Sequence, residues 1–260
     1  MKQRLDKYIS SQTIYSRTDI SKLLWKRKVA VNGKIIREGE CKIDTEKDSI
    51  EISGKKLVYR DKIYIILNKP MGYVCATEDK NIPTVIDLVP DELKRKDIFP
   101  AGRLDKDSEG MVFITNDGTL SHNIISPKKH IPKYYIVKLN KKFSENYEKI
   151  FSEGVVLENG DRCLPARIRM CPNAENMAFV ELFEGKFHQL KRMFLVVENN
   201  VERLARIQMG GLKIPKKLGI GECMEILHND VEKLFKPTSF DDVFRRFSED
   251  FSSYWINTLE

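Results

Sequence analysis

The chain has 260 residues, with 45 Lys and Arg against 38 Asp and Glu, for a formal charge of +7. That length supports one or two domains with a sizeable core, and no apolar run approaches the length that crosses a membrane. The opening Met1-Lys2-Gln3-Arg4-Leu5-Asp6 lacks the apolar stretch of a secretory signal, and the five cysteines (Cys41, Cys75, Cys163, Cys171, Cys223) include no CxxC pair. A disulfide framework and a structural zinc site are therefore not expected, and a reduced, cytoplasmic setting is.

Charge is concentrated at one end. Residues 1–60 hold 15 Lys and Arg against 8 Asp and Glu, whereas residues 61–260 hold 30 of each. A basic excess confined to one short segment points to an anionic partner engaged there, although a solvated charged face gives the same composition.

Residues 4–11 predict a short amphipathic helix with Leu5, Tyr8 and Ile9 inward. A second helix starts after Ser16 as N-cap, with Asp19 at the third helical position and Ile20, Leu23 and Leu24 as its stripe. Val29–Ile36 reads as a hairpin turning at Asn32-Gly33, and Ser49–Ile52 as another strand. Residues 55–61 are polar and form a candidate hinge. Ile63–Leu67 is an apolar strand that runs into Lys69-Pro70-Met71-Gly72, a turn set by its proline and glycine. Gly102-Arg103-Leu104-Asp105 opens a loop, Met111–Thr115 a buried strand, and Asn116-Asp117-Gly118 a turn. Tyr134–Leu139 and Met177–Phe183 are strands. Phe187, Leu190, Met193, Phe194 and Val197 then follow helical spacing. After Pro237, apolar residues from Phe240 to Leu259 recur near a period of 3.6, predicting a terminal amphipathic helix capped by Thr238 or Ser239 that docks on the body; a partner-binding helix is the rival. Strands and helices mix without βαβ alternation, which makes the class α+β.

A carboxylate on a glycine-bounded loop at the mouth of a buried strand is a good place for chemistry. Asp105, Asp107, Glu109 and Gly110 match the first positions of a calcium loop, but the twelfth is Asn116 and the flanks are not helical, so calcium is not expected.

Four motifs occur in order: Lys69-Pro70-x-Gly72; Gly102-Arg103-Leu104-Asp105 with Thr115-Asn116-Asp117-Gly118; Lys133-Tyr134-Tyr135-Ile136-Val137; and Glu184-Gly185-Lys186-Phe187-His188-Gln189-Leu190-Lys191-Arg192-Met193. Together they resemble the RsuA branch of pseudouridine synthases. Ahead of them, Arg4-Leu5-Asp6-Lys7-Tyr8-Ile9, Ser16-Arg17 and Val29-x-Val31-Asn32-Gly33 resemble an S4 RNA-binding domain. The resemblance covers residues 2–235. It implies an S4-like domain over 1–60, a catalytic domain over 61–236 built on a mixed, largely antiparallel sheet with flanking helices, and a helical tail over 237–260 outside it.

The implied activity is isomerisation of one uridine of ribosomal RNA without cofactor or metal. By resemblance Asp105 is the nucleophile, by attack on C1′ or C6 or by assisting glycal formation. Tyr135 packs beneath the uracil, and Lys191 is the cation that favours the carboxylate form of Asp105. Tyr134, on the opposite face of the strand, is a core or surface residue. RNA contacts are expected from Arg4, Arg17, Lys22, Lys26, Arg27 and Lys28 in the first domain. In the second they are expected from Lys69, Arg103, His188, Arg203 and Arg206, with an ion pair to Asp107 or Glu109 the rival role for Arg103. S4 domains place glycine where this chain has Arg27, so either Arg27 is left-handed or the helix ends differently. By resemblance alone, Phe187-His188, where relatives acting on large-subunit RNA carry Asn-Arg, implies small-subunit (16S) rRNA or an assembly intermediate of that subunit as the substrate. A large-subunit (23S) enzyme and a non-catalytic RNA-binding assembly factor are the alternatives. A monomer is expected.

Overall fold

A computed structural model describes residues 2–126 and 129–249. The chain forms two compact units. The first runs to Ile63 and includes Val89–Ile98; the second comprises Tyr64–Leu88 and the chain from Phe99 onward.

The first unit contains β1 (Lys2–Arg4), α1 (Leu5–Gln12), α2 (Arg17–Trp25), β2 (Val29–Val31), β3 (Lys34–Ile35), β4 (Lys42–Asp44), β5 (Ile50–Ile52) and β6 (Lys55–Leu57). β1 pairs with β4, and the other strands form a sheet in the order β3-β2-β5-β6. Leu5, Tyr8 and Ile9 of α1 pack with Ile20 and Leu24 of α2, and with Val29, Ile43 and Ile50 from the strands. The Ser16 hydroxyl accepts from the Asp19 N–H and the Asp19 carboxylate accepts from the Ser16 N–H, so α2 begins with a capping box. At the other end Arg27 has φ +55°, the left-handed conformation that a glycine adopts without steric cost. The helix therefore ends in the usual place and holds an arginine there. Asn32 and Gly33, at φ +52° and +76°, make the tight turn between β2 and β3.

The boundary expected at residue 60 is more involved. Val89–Ile98 returns to the first unit, where buried Arg95 donates to the Arg60 carbonyl at 2.7 Å. The Gln12 amide oxygen also accepts from the Arg60 N–H at 2.8 Å. These backbone ties hold residues that composition alone presents as a loose hinge.

The second unit is built on β7 (Tyr64–Lys69), β8 (Phe99–Pro100), β9 (Glu109–Thr115), β10 (Lys133–Leu139), β11 (Arg167–Cys171), β12 (Ala174–Leu182), β13 (Val201–Met209), β14 (Leu212–Lys213) and β15 (Cys223–Glu225). They make one nine-stranded mixed sheet in the order β11-β12-β10-β13-β9-β7-β15, with β14 on β13 and β8 on β9. Pairing is antiparallel except between β9 and β13. Helices α3 (Gly118–Ile125), α4 (Asn146–Ser152), α5 (Gln189–Val196), α6 (His228–Val231) and α7 (Phe240–Glu249) flank it. Among the described residues no helix is long and apolar enough to cross a membrane.

The tail belongs to this second unit. α7 lays Phe240, Phe244 and Phe247 around the Phe179 ring at centroid distances of 5.4, 5.4 and 5.0 Å. Arg169 caps the cluster over Phe240 and Phe244 and pairs with Asp241 at 2.9 Å. Ser239 stands just before the helix, whereas the Thr238 hydroxyl bonds that of Tyr134 at 2.7 Å. The expectation for Phe251, Tyr254, Trp255 and Leu259 lies outside the described residues.

The parallel junction between β9 and β13 positions the loop before β9. Ala205 and Arg206 pair there with Glu109 and Gly110. Gly110 has φ +98°, and a Cβ on it would lie 2.2 Å from the Arg206 carbonyl oxygen, so no other residue fits. Gly110→Ala should cost about 3–5 kcal/mol or prevent folding, read as a lower urea midpoint. Gly118→Ala, where nothing lies within 4 Å, should stay within about 1 kcal/mol of the parent.

Candidate active site

The Lys69-Pro70-Met71-Gly72 turn closes β7, and the Asp105–Ser108 loop opens β9, its sheet neighbour. The two are tied together. The Gly72 N–H donates to the Lys106 carbonyl at 2.8 Å. The Lys69 ammonium, with no solvent exposure, donates to the carbonyls of Ser108 (2.6 Å), Asp105 (3.0 Å), Pro70 (3.1 Å) and Lys106 (3.3 Å). Burial is the main influence on this lysine and lowers its pKa, opposed by the charges of Cys75 and of Asp107, Glu109 and Asp105. The expectation that Lys69 reaches an RNA phosphate is therefore corrected. An apolar strand carries it inward, and loop carbonyls occupy its donors.

With its backbone held this way, Asp105 directs its carboxylate into a cavity of about 370 Å³. That volume lies toward the small end of the ~300–1,000 Å³ usual for small-molecule sites. The walls include Arg103, Tyr135, Phe187, His188 and Lys191. Lys191 Nζ is 3.9 Å from Asp105 Oδ2, and His188 Nε2 is 3.6 Å from Asp105 Oδ1. Lys191 sits closer to a second carboxylate, with Nζ 2.5 Å from both oxygens of Asp107. Burial acts most strongly on Asp107 and pushes its pKa up, but the Lys191 hydrogen bond and charge, with the charge of His188, outweigh it and leave the pKa below the ordinary value.

α5 delivers Lys191, and the turn before it delivers His188. The Gln189 amide oxygen accepts from the Lys186 N–H at 2.9 Å, and its nitrogen donates to Glu184 at 2.8 Å, which fixes that turn. His188, at φ +48°, stacks on Phe187 with ring centroids 3.8 Å apart. Phe187 is 71% exposed and precedes the helix rather than joining its buried stripe. Spacing extends the apolar period one turn too far, because the left-handed residue at 188 breaks it.

Strand alternation separates the two tyrosines. Tyr135 faces the cavity. Tyr134 is fully buried on the α7 side, where its hydroxyl donates to Glu181 Oε1 at 2.6 Å. Burial raises the pKa of both Tyr134 and Glu181.

The structure thus brings Asp105, Tyr135, Lys191, Arg103 and His188 to one cavity. It does not bring Arg203 or Arg206 there as free cations. Arg203 makes a two-armed ion pair with Glu109 (Nε–Oε2 2.5 Å, Nη2–Oε1 3.0 Å), and its side chain is 16% exposed. Arg206 is 3% exposed and donates through Nε to the Met111 carbonyl at 2.9 Å and through Nη1 to the Arg103 carbonyl at 3.4 Å. Both lie on β13 and brace the β9 junction, so their expected place along an RNA path is corrected. Glu109 and Asp107 are thereby taken by Arg203 and Lys191, and neither pairs with Arg103. In the first unit Arg17, Lys22, Lys26, Arg27 and Lys28 are exposed, while Arg4 pairs with Asp6 and Glu40.

Sequence reasoning offered Asp107 to Arg103 and missed it as the nearer anion to Lys191, and it missed Cys75, whose sulfur accepts the Leu104 N–H at 3.3 Å inside the cavity wall. Asp107 had a signal in its spacing, two residues beyond Asp105. Cys75 had none.

Lys69→Met keeps the buried stem but removes the donor from the loop carbonyls. It should cost about 2–4 kcal/mol of stability and lower the turnover rate at least about tenfold through a loosened Asp105. RNA affinity and its salt dependence should not change. A weaker affinity with a shallower salt slope would instead mark a phosphate contact.

Comparison with known proteins identifies the family of the chain. The family model for RNA pseudouridylate synthase matches residues 63–195. The uncharacterized RNA pseudouridine synthase YtzG of Bacillus subtilis is 36% identical over 236 residues, covering 90% of this chain and 99% of that protein. Ribosomal small subunit pseudouridine synthase A of Vibrio vulnificus is 36% identical over 234 residues, covering 90% and 100%. A solved crystal structure of pseudouridylate synthase matches with a TM-score of 0.62 at 33% identity, covering 89% of this chain and 99% of that one. By sequence match and fold alike, the chain belongs to the RNA pseudouridylate synthase family, and the cavity around Asp105 lies in its RNA-modifying enzyme domain.

Proposed function

We propose that this enzyme isomerises one uridine of small-subunit (16S) ribosomal RNA, with Asp105 as the reacting carboxylate. The observation that carries the reading is the Asp105 carboxylate, 28% exposed, opening on a base-sized cavity beside the Lys191 ammonium. The reaction breaks the N1–C1′ bond, forms a C5–C1′ bond, and moves the proton of C5 to N1. It is redox-neutral and needs only groups that bind, hold charge and move protons. Attack on C1′, attack on C6 and glycal formation all call for an anionic oxygen within reach of the nucleotide.

Lys191 sets positive charge beside that oxygen, and Asp107 holds the ammonium in place from the far side. Tyr135 offers its ring as a floor for the uracil and its hydroxyl for proton transfer. Phe187 and His188 form a stacked lip at the mouth, suited to the flipped base or its neighbour. Arg103, exposed in the wall, is placed to hold a phosphate or fill the gap that the base leaves. The exposed cations of the first unit serve as the phosphate-gripping surface, in keeping with an S4-like role.

Support for the small-subunit target comes from the Vibrio vulnificus relative and from a protein of the same name in Escherichia coli, 35% identical over 230 residues. The second reading, a large-subunit target, rests on no structural feature of the cavity. Mapping pseudouridines in rRNA from cells with and without the gene should show one 16S site lost and the 23S sites intact. A lost 23S site with 16S unchanged rejects the proposed target.

Asp105→Asn tests the mechanism and separates an enzyme from an assembly factor. It should bind rRNA within about twofold of the parent, because phosphate contacts carry affinity, yet release no tritium from uridine labelled at C5. Tritium release at the parent rate would remove Asp105 from the reaction.

A further inference from the structure

The first unit has a concavity of its own, about 620 Å³, unrelated to the cavity around Asp105. Trp25, the last residue of α2, stands in its wall and is 81% exposed. A single exposed apolar side chain is ordinary. This one is the most exposed large apolar side chain among the described residues, and it is set among arginines.

The charge around it is unbalanced. Two carboxylates line the same wall, and Arg4 engages both, Asp6 at 2.7 Å and Glu40 at 3.3 Å. Arg17, Arg27 and Arg37 are exposed, and among the described residues none has a carboxylate at ion-pair distance. Arg27 occupies a left-handed position where glycine would sit free of strain, so the chain keeps a guanidinium on this rim against backbone preference.

An open indole beside unspent guanidiniums is the chemistry of single-stranded nucleic acid binding. The ring stacks on the face of any unpaired base, and the cations take the flanking phosphates. Bases inside a duplex hide those faces. We propose that Trp25 is a stacking platform for one unpaired base of the RNA, with Arg17, Arg27 and Arg37 gripping the phosphates on either side. This rests on the first unit being RNA-binding, and it adds that the unit reads an unpaired nucleotide rather than backbone charge alone.

The test uses the full chain with Trp255→Phe, which leaves Trp25 as the single tryptophan. A stem-loop RNA should quench its fluorescence on binding, and the blunt duplex of the stem alone should not. Trp25→Leu should weaken stem-loop binding about 5- to 150-fold with an unchanged salt slope, and Trp25→Phe should recover most of the loss. Arg37→Gln should weaken stem-loop and duplex alike and reduce the salt slope by about 1. Tritium release from C5-labelled rRNA is followed in the same preparations. Trp25→Leu should raise the RNA concentration for half-maximal release by at least the factor by which it weakens binding. Equal quenching by stem and stem-loop, or parental binding by Trp25→Leu, overturns the platform even with tritium release intact. Quenching as described without any release by the parent supports the platform and rejects the synthase reading.

Discussion

One buried cation organises the catalytic half of this protein. An unpaired ammonium in a protein interior costs several kcal/mol, so Lys69 is tolerable only because backbone carbonyls surround it. Three of those carbonyls belong to the Asp105–Ser108 loop, whose chain has to curl around the cation to supply them. Curling the backbone inward leaves the Asp105 side chain to face out. The rigidity of the Asp105 loop thus comes from an electrostatic requirement one strand away. Gly110 adds a second fixed point, because the parallel contact with Arg206 leaves no room for a Cβ there.

Around that fixed carboxylate the charges are shared unequally. Lys191 lies 3.9 Å from Asp105 but 2.5 Å from Asp107. An ammonium gripped tightly by its nearest anion would offer little to the other if both were equally buried. They are not: the Asp107 side chain is 66% exposed and that of Asp105 is 28% exposed. Solvent screens the Asp107 contact more, so it serves mainly to place the ammonium. Lys191 still holds the Asp107 pKa below its ordinary value, and its longer contact with Asp105 lies in the drier position.

Most of the fold could be read from local signals that tertiary packing did not override. Ser16 and Asp19 announce a capping box and make one; Asn32-Gly33 announces a hairpin and makes one. Alternation separated Tyr134 from Tyr135, because a strand's period of two is geometric. The misplaced charges share one cause. Lys69, Arg203 and Arg206 carry charges that sequence reasoning assigns to solvent, and each is spent on groups distant in the chain: loop carbonyls, Glu109, and the carbonyls of Met111 and Arg103. Nothing in the residues near Arg206 shows that β13 runs beside β9. Phe187 failed differently, since a left-handed His188 interrupts a period that side-chain identity alone would continue. The return of Val89–Ile98 to the first unit was equally hidden, resting on a hydrogen bond between Arg95 and a backbone carbonyl at residue 60.

The uneven charge along the chain acquires a physical reason from these assignments. In the second unit several cations beside the Asp105 loop are consumed internally, Lys69 by carbonyls, Lys191 by carboxylates and Arg203 by Glu109, while Arg103 stays exposed in the cavity wall. Extracting a base from its stack costs a few kcal/mol, and on the proposed reading phosphate and stacking contacts supply it, from Arg103 and the Phe187-His188 lip as well as from the first unit. The first unit is where uncommitted cations occur together, with Arg17, Arg27 and Arg37 around an exposed indole. On the proposed reading, gripping RNA calls for free cations, whereas holding Asp105 in place calls for partnered ones. Dividing them between two units lets each set of charges meet its own demand.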